Sequence, residues 1–373
     1  MSEMDPLPEN SLKNPTQNLS LDDVYTPEAL EVLPQPAEAL LKNPYVGPRP
    51  FETRERQLFF GRDWEAEELV ALIVAHPAVL LYARSGAGKS SLLNARIVPK
   101  LRDEEGCEVL PVARVRGDIP EGIRTEQIEN LYVFNALLNW TEATVVTPAQ
   151  LVNLSLAQLL GRLPHQSDHE GYPALRVIVF DQFEELFTFY PERWPEREKF
   201  LIQVNEALVA DSLLRVLFVI REDYLAQLDP HLHLLPEQLR YRFRLERLRQ
   251  EAALAAVVGP LRGTGRSFAP GVAEALVAEL LKIRVEGRTG ETVEAQGEFV
   301  EPVQLQVVCQ SLWNDLPPEV LEITESQLLA FGNVDQALTK FYERAVQNAV
   351  QRIKLTSSLA QMVPVYTQWQ LRN

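Results

Sequence analysis

Cysteines and long apolar runs are scarce in this 373-residue sequence. Only Cys107 and Cys309 are present, and no apolar stretch approaches the roughly 20 residues that a membrane-spanning helix needs. Two cysteines do not make a disulfide framework, and the start, Met-Ser-Glu-Met-Asp, lacks the basic and apolar regions of a secretory signal peptide. These absences predict a cytoplasmic protein with reduced cysteines and no membrane partner.

Basic residues are fewer than acidic ones. The chain has 36 Lys and Arg against 52 Asp and Glu, which gives a formal net charge of −16. A general nucleic-acid surface needs clustered positive charge against the phosphates, so we predict no nucleic-acid partner. A single nucleotide is not excluded, because a nest of backbone N–H groups and one lysine suffice for its phosphates.

The first 42 residues lack the apolar content of a folded domain. They contain six prolines, eight acidic residues and one aromatic residue, Tyr25. Such a segment buries too little apolar surface to offset the entropy lost on ordering. We predict a disordered acidic leader over 1–42, in which only 30–41 has the pattern of a short helix.

The most informative feature that is present is a glycine-rich loop after an apolar strand. Residues 83–90 read Ala-Arg-Ser-Gly-Ala-Gly-Lys-Ser and match the phosphate-loop consensus G-x-x-x-x-G-K-[S/T], with alanine at its first position. Gly86 and Gly88 allow positive φ, Lys89 brings a positive charge, and the Ser90 hydroxyl suits Mg²⁺. We predict that the nucleotide phosphates bind to Ser85, Gly86, Ala87, Gly88, Lys89, Ser90 and Ser91.

The surroundings of this loop favour a phosphate site over an ordinary turn. An apolar strand is predicted before it at 78–82, and an amphipathic run follows at 92–98, as the motif requires. Further elements are predicted as strands at 108–115, 176–180 and 214–220 and as helices at 63–75, 129–161 and 195–209. This alternation is typical of a parallel sheet between two layers of helices, so we predict an α/β fold with a P-loop NTPase core.

The pattern becomes mainly helical beyond residue 236, apart from a polar insertion at 286–298. We therefore predict that the P-loop core, residues 43–235, is followed by an α-helical lid domain at 236–350. Residues 351–373 are predicted to form a C-terminal tail.

An acidic residue ends the strand predicted at 176–180. Asp181 follows four apolar residues, where a nucleoside triphosphatase keeps a carboxylate for the Mg²⁺ shell. A strand followed by aspartate is a weak signal alone, but it gains weight beside a phosphate loop. We predict that Asp181 and Ser90 hold the metal ion.

Three residues compete for the role of general base. In many related ATPases a glutamate follows the strand-terminal aspartate and polarises the attacking water, whereas this chain has Gln182 there. Glu184 and Glu185 both lie within one helical turn of Asp181, and Glu184 is slightly favoured. Alternatively, Gln182 only orients water, which makes turnover slow.

Arg221 follows the strand predicted at 214–220. The carboxyl ends of central strands face the ligand crevice in open α/β sheets, so we predict that Arg221 senses the γ-phosphate. The alternative is a structural ion pair with Glu222 or Asp223.

Several sequence segments occur together in a characteristic order. They are Asn-Pro-Tyr-x-Gly-x-Arg-Pro-Phe at 43–51, Phe-Phe-Gly-Arg at 59–62, the phosphate loop, Asp-Gln-Phe-Glu-Glu-Leu-Phe at 181–187, and the segments 219–225, 257–260, 299–313 and 331–338. This set resembles the novel STAND NTPases of bacteria, signal-transduction ATPases with numerous domains that are related to the AAA+ class. The resemblance covers residues 43–350.

The resemblance implies roles that spacing alone does not give. Gly61 and Arg62 match a motif that approaches the adenine and ribose, and Pro302 matches a lid proline that covers the adenine. The glycine of that lid motif is replaced here by Val300. Relatives usually continue into a winged-helix segment, so 351–373 is expected to be a truncated piece of one.

Three arginines lie near the place where oligomeric relatives keep an arginine finger. They are Arg240, Arg242 and Arg244, which alternate with Tyr241 and Phe243. We favour the simpler interpretation, a strand with an outward basic face.

The residues and the resemblance together predict an ATP-binding, slowly hydrolysing switch. Its ligands are ATP or ADP with Mg²⁺, and its nucleotide state controls conformation or assembly with protein partners or further copies of the chain. The resemblance adds bacterial defence or stress signalling as the setting. The alternatives are a non-hydrolysing scaffold stabilised by nucleotide and a P-loop kinase, against which the long helical lid weighs.

Overall fold

A parallel sheet of five strands lies at the centre of the fold in the computed structural model of the chain. The structure describes residues 42–141, 146–168, 170–286 and 292–332, together with 334, 336–341, 343, 346 and 347. The strands of the sheet are β1 (Ala78–Ala83), β2 (Glu108–Val109), β3 (Arg176–Phe180), β4 (Leu214–Arg221) and β5 (Arg242–Arg244). Their order across the sheet is β2-β3-β4-β1-β5, and all four pairings are parallel.

The central strands are buried on both faces, which explains their near-continuous apolar sequences. Alternate side chains of one strand enter two different hydrophobic cores: Leu80 of β1 lies in one and Leu81 in the other. β4 lies between β1 and β3, with Ala78 opposite Val216 and Ile178 opposite the same residue on the other side. The three strands therefore end side by side at one edge of the sheet.

Helices cover both faces, as the sequence predicted for an α/β fold. One core packs against α1 (Asp63–Ala75) and the helical segment after the phosphate loop, which consists of α2 (Lys89–Leu92), a π-helical turn (Leu93–Ile97) and α3 (Val98–Asp103). The other core packs against α4 (Leu131–Leu138), α5 (Pro148–Leu151), α6 (Leu156–Leu160), α7 (Glu185–Thr188), α8 (Glu196–Ala210) and α9 (Leu225–Leu228).

The predicted strands and helices agree with the structure in type, with one difference in extent. The strand predicted at 108–115 stops at Val109, because Pro111 has no N–H to donate to the ladder. Leu110 still donates its N–H to the Val177 carbonyl at 3.1 Å, and beyond Pro111 the Ala113 N–H donates to the Val179 carbonyl at 2.8 Å. The helices predicted across 129–161 are α4, α5 and α6.

A third core belongs to the helical part that follows the sheet. It is built by α10 (Gln250–Val258), α11 (Val272–Leu280), α12 (Pro302–Asp315) and α13 (Glu325–Phe331), with a short parallel pair of β6 (Ser267–Phe268) and β9 (Glu322–Ile323). An antiparallel pair spans the expected polar insertion at 286–298: β7 (Lys282–Glu286) leads into it and β8 (Thr292–Gln296) lies within it. Its connecting residues, 287–291, lie outside the described part of the chain.

β5 lies beyond residue 235, where the sequence placed the start of the lid, so the sheet extends past that expected boundary. Phe243 of β5 is buried, whereas Arg242 and Arg244 are exposed, which confirms a strand with an outward basic face. The chain divides into the units Met1–Lys42 and Asn43–Asn373. The expected leader helix at 30–41 and the expected tail at 351–373 lie outside the described residues.

Within the described ranges, none of the helices combines the length and the apolarity needed to cross a membrane.

Candidate functional site

The phosphate loop connects β1 to α2 at the edge where β1, β3 and β4 end. Gly86 and Gly88 have φ values of 80° and 96°, in the left-handed region that favours glycine. The Lys89 ammonium donates to the carbonyls of Ala83 and Arg84, both at 3.2 Å. Burial lowers the pKa of Lys89, and the carboxylates of the site oppose this shift.

Ser90 and Asp181 meet at this edge. The Ser90 hydroxyl donates to Asp181 Oδ2 at 2.8 Å, so the phosphate loop and the end of β3 are in direct contact. A hydroxyl and a carboxylate oxygen are ligands that Mg²⁺ accepts when substrate phosphates and water complete its shell. The described residues contain no cluster of three or more His, Cys, Asp or Glu that forms a protein-only metal site. The donor set therefore fits a Mg²⁺ ion shared with phosphates.

The turn after Asp181 is fixed by an aromatic core. Phe183 is fully buried against Phe218 of β4, with ring centroids 4.7 Å apart, and its N–H donates to the Val219 carbonyl at 2.9 Å. Gln182 takes a φ of 52°, in the left-handed region, and its N–H donates to Asp181 Oδ1 at 2.8 Å. The sharp turn leaves Asp181 and Gln182 at the edge of the sheet.

The two neighbouring glutamates have different surroundings. Glu184 lines the cavity above the sheet edge, and its Oε2 accepts the backbone N–H of Arg221 at 3.2 Å. Glu185 is buried and paired with the Arg114 guanidinium, and it is not among the described residues that line the cavity. Burial raises the pKa of the Glu185 carboxyl, and Arg114 opposes this shift.

Arg221 ends β4 and lines the same cavity. Its guanidinium donates to Asp223 at 2.5 Å, and this hydrogen bond raises its pKa. The ion pair that the sequence offered as an alternative is therefore present. Glu222, the other candidate partner, is instead paired with Arg84 at 2.9 Å.

The cavity measures about 360 Å³ and lies between the sheet edge and the helical part. Polar and charged groups of its lining come from the phosphate loop, Asp181, Gln182, Glu184 and Arg221, together with Arg49, Arg62 and Gln306. Most of the remaining lining is apolar or proline: Pro48, Pro50, Phe51, Leu58, Phe59, Phe60, Leu248, Ala256, Pro302, Val303 and Leu305. A lining that combines charged and apolar groups fits the phosphates and the base of a nucleotide.

The sequence of the chain matches a family model, Novel STAND NTPase 1, over residues 44–366. The chain belongs to the novel STAND NTPases. It is therefore a P-loop NTPase of the STAND type, as the sequence motifs indicated. No curated protein matches the chain.

Several solved structures are similar to this novel STAND NTPase at low identity. A Walker-type ATPase of Pyrococcus abyssi is 15% identical, with 82% of this chain and 78% of that chain covered and a TM-score of 0.48. The ORC2 protein of Aeropyrum pernix in its ADPNP–ADP complexes is 15% identical, with 81% and 70% covered and a TM-score of 0.49. The ORC1 protein of Aeropyrum pernix in complex with DNA is 14% identical, with 85% and 72% covered and a TM-score of 0.45.

The Gly-Arg motif of this novel STAND NTPase lies between the sheet and α10. Arg62 is buried, lines the cavity, and donates to the carbonyls of Glu246 at 2.7 Å and Ala87 at 3.3 Å. Gly61 packs so tightly that an added Cβ would overlap the carbonyl oxygen of Ala252 in α10. Arg62 thus connects the phosphate loop to the segment that leads into the helical part.

Pro302 is the first residue of α12 and lines the cavity. The next residue, Val303, lies beside the phosphate loop, since a Cβ on Gly86 would be 3.6 Å from its Cγ2. Val300, which replaces the glycine expected before Pro302, is fully buried and pairs with Leu248 through backbone hydrogen bonds of 2.8 and 3.2 Å.

Sequence reasoning missed two contributions to the site. Arg114 follows the bridge at Ala113 and contacts Gln182 and Glu185, but no motif marks it. The segment 43–51, which the sequence marks as a family signature, also crosses from the helical part to the phosphate-loop helix. At one end, Tyr45 Oη donates to the Val257 carbonyl at 2.5 Å, and Gln310 Nε2 donates to the Tyr45 carbonyl at 3.2 Å. At the other end, the Phe51 N–H donates to Ser91 Oγ at 3.3 Å, and Asn94 Nδ2 donates to the Phe51 carbonyl at 3.0 Å.

Proposed function

We propose that this novel STAND NTPase is a cytoplasmic ATP-binding switch that hydrolyses ATP slowly. The observation that carries the proposal is that Lys89, Ser90, Asp181 and Arg221 line one cavity, whose lining also includes many apolar residues. Three strands deliver these four side chains to one place. The STAND family match supports the nucleotide as ligand.

Each charged or polar residue beside the phosphate loop has a distinct proposed role. The backbone N–H groups of 85–91 and the Lys89 ammonium bind the phosphates, since Lys89 needs only to exchange its two carbonyl acceptors for phosphate oxygens. Ser90 and Asp181 would hold Mg²⁺. The ion, when bound, neutralises charge on the phosphate oxygens.

The residues after Asp181 support slow turnover. Gln182 occupies the position of the usual base, and an amide does not accept a proton from water. Glu184 is the proposed general base, because it lines the cavity and its orientation is set by the backbone N–H of Arg221. Glu185 is a poorer candidate, because its carboxylate is occupied by Arg114.

The same contacts support a switch. The cavity has walls from both the sheet edge and the helical part, including Pro302 and Val303, so a nucleotide there contacts both. The γ-phosphate is the group that ATP has and ADP lacks, and Lys89 and Arg221 are placed to respond to it. We propose that this difference changes how the lid, expected at 236–350, sits on the core, expected at 43–235.

The response of the switch is proposed to be assembly with further copies of the chain or with a protein partner, in bacterial defence or stress signalling. No nucleic-acid partner is proposed, because the net charge of −16 leaves no excess of positive charge for a phosphate backbone.

Light scattering of the purified chain tests the proposal directly. The mass is measured with ADP and then with a slowly hydrolysed ATP analogue, each with Mg²⁺, and with Lys89→Ala as the control that lacks the phosphate contact. We expect the analogue alone to change the mass of the wild type. Tight analogue binding with an unchanged mass and no turnover would instead favour a nucleotide-stabilised scaffold. Transfer of labelled phosphate to an added acceptor would favour a kinase.

A further inference from the structure

Gln182 has an unusual set of contacts for a residue beside a phosphate loop. Its side-chain Oε1 accepts a hydrogen bond of 2.5 Å from Arg114 Nη2. Its backbone is in the left-handed region with a φ of 52°, and its N–H is held by Asp181. Both backbone and side chain are thus fixed by neighbours, although Gln182 lines the open cavity.

Arg114 determines the orientation of the Gln182 side-chain amide. A guanidinium carries only donors, so it binds the carbonyl oxygen of Gln182 and never the amide nitrogen. The nitrogen, Nε2, is left with two N–H donors and has no hydrogen-bond partner among the residues that the structure describes. Gln182, which lines the cavity, therefore has two unpaired N–H donors, while its side-chain oxygen is engaged by Arg114.

Arg114 is itself held in place. Its Nε donates to Glu185 Oε2 at 3.1 Å, its Nη2 pairs with the other oxygen of the same buried carboxylate, and its backbone follows the bridge between Ala113 and Phe180. A bidentate pair of this kind restricts the guanidinium more than a single contact does. Glu185 therefore holds Arg114 in place, and Arg114 in turn holds the side chain of Gln182.

We propose that Gln182 distinguishes a nucleoside triphosphate from a diphosphate by donating an amide N–H to the terminal phosphate, with Arg114 as its positioning residue. The inference rests on the proposed function, because it assumes that the phosphates bind in the cavity beside the phosphate loop. Gln182 follows Asp181 and lines the same cavity as Lys89 and Glu184. Gln182 is then a specificity-determining residue.

A purely structural role for Arg114 makes different predictions. On that interpretation Arg114 only neutralises the buried Glu185, and its contact with Gln182 has no effect on ligands. Removal of Arg114 then changes stability but leaves the relative affinity for ATP and ADP unchanged.

Calorimetry with Mg²⁺ and either ADP or a slowly hydrolysed ATP analogue tests the role of Gln182. We expect Gln182→Met, which keeps the length and removes the amide, to lower analogue affinity about tenfold and ADP affinity less than about twofold. Gln182→Glu puts a carboxylate where the N–H groups were, so analogue affinity falls further. Equal changes for both nucleotides, or no change, overturn the proposal.

A double-mutant cycle tests the positioning role of Arg114. Arg114→Met alone leaves Glu185 as an unpaired buried carboxylate, so Arg114→Met is combined with Glu185→Met to preserve folding. In a chain that keeps Gln182, we expect this pair of changes to reduce the preference for the analogue over ADP. In a chain that carries Gln182→Met, we expect the same pair of changes to leave the preference unaltered. An equal reduction in both backgrounds overturns the positioning role.

The same titrations separate this inference from the proposed function. A wild-type chain that binds neither nucleotide contradicts both. A wild-type chain that binds both, with a preference that no Gln182 variant alters, contradicts the Gln182 inference alone.

Discussion

Ser90 Oγ and Asp181 Oδ2 are 2.8 Å apart, although the two residues are separated by 91 positions in the chain. They meet because β1 and β3 are both neighbours of β4 and run in the same direction, so their carboxyl ends share one edge. The hydrogen bond holds both oxygens within the span of a single small cation. Most of the proposed chemistry depends on this contact.

Removal of the Asp181 charge is expected to remove the effect of Mg²⁺ on ATP affinity. The wild type should bind ATP more tightly in buffer with Mg²⁺ than in buffer with EDTA, because the ion links the phosphates to Ser90 and Asp181. We expect Asp181→Asn to reduce that difference at least about tenfold, since a charged ligand is lost. Calorimetry in Mg²⁺ and in EDTA measures it, and an undiminished Mg²⁺ effect would contradict the metal assignment.

Lys89 is expected to be necessary for ATP binding. Its ammonium lies in the phosphate loop with two carbonyl acceptors at 3.2 Å, and no other lysine lines the cavity among the described residues. We expect Lys89→Ala to abolish ATP binding that calorimetry can detect. Lys100→Ala is the matched control, because Lys100 forms surface ion pairs with Glu104 and Glu67. Equal ATP affinity of wild type and Lys89→Ala would refute the phosphate-loop assignment.

The parts of the site that sequence predicted are those fixed by neighbours along the chain. The strand before Gly86, the acid after 176–180 and helix α1 follow from apolar patterns and turn residues, and the structure has them. A strand was favoured around Arg242, but its pairing with β1 was not predicted, and neither were the contacts of Arg114 with Gln182, because both join residues far apart in sequence. No local pattern reports such pairings.

The choice between Glu184 and Glu185 depended on one detail that sequence does not encode clearly. Glu184 is the N-cap of α7 and Glu185 its first residue, so the point at which α7 begins decides which carboxylate reaches the cavity. The left-handed backbone of Gln182 precedes that point, and it is an uncommon conformation for a residue other than glycine, asparagine or aspartate. The slight preference for Glu184 remains a prediction about catalysis.

Turnover is expected to depend on Glu184 more than on any other glutamate near the site. Glu184→Gln keeps an oxygen that can accept the Arg221 N–H, so folding and ATP binding should be retained while proton transfer is lost. We expect kcat to fall about a hundredfold. Phosphate release measures kcat, and Glu192→Gln, a change of an exposed residue outside the cavity, is the control. A larger loss with Glu185→Gln than with Glu184→Gln would assign the base to Glu185.

Acid is expected to remove a small stabilising contribution at the segment 43–51. The Arg49 side chain hydrogen-bonds Glu55 and lowers the pKa of Glu55 to about 2 from its usual 4.5. Because the pKa is lower in the folded chain, the pair stabilises above pH 4.5, and this stability is lost as the pH falls towards 2. Arg49 is half exposed, so we expect a contribution of at most about 1 kcal/mol.

Urea unfolding of the wild type and Arg49→Met measures this contribution. The difference in the free energy of unfolding between the two proteins should be present at pH 6, should shrink below pH 4.5, and should shrink at pH 6 when NaCl screens the pair. A difference that is independent of pH would mean that packing of Arg49, and not its charge, stabilises the segment.

Gly61→Ala is expected to disturb the contact between the sheet part and α10. Gly61 has a φ of 82°, and an added Cβ would overlap the Ala252 carbonyl oxygen, which belongs to helix backbone and has no room to rotate away. Gly122 is the matched control, because its φ of 87° is similar but a Cβ there meets no atom within 4 Å.

Both substitutions place alanine in a left-handed backbone, which costs about 1 kcal/mol, and the overlap in Gly61→Ala costs about 2 kcal/mol more. Urea unfolding should therefore give a loss about three times as large for Gly61→Ala as for Gly122→Ala, with greater proteolysis around α10. Similar losses for the two variants would show that α10 moves aside at little cost, and the Gly-Arg turn would then be a loose contact in this novel STAND NTPase.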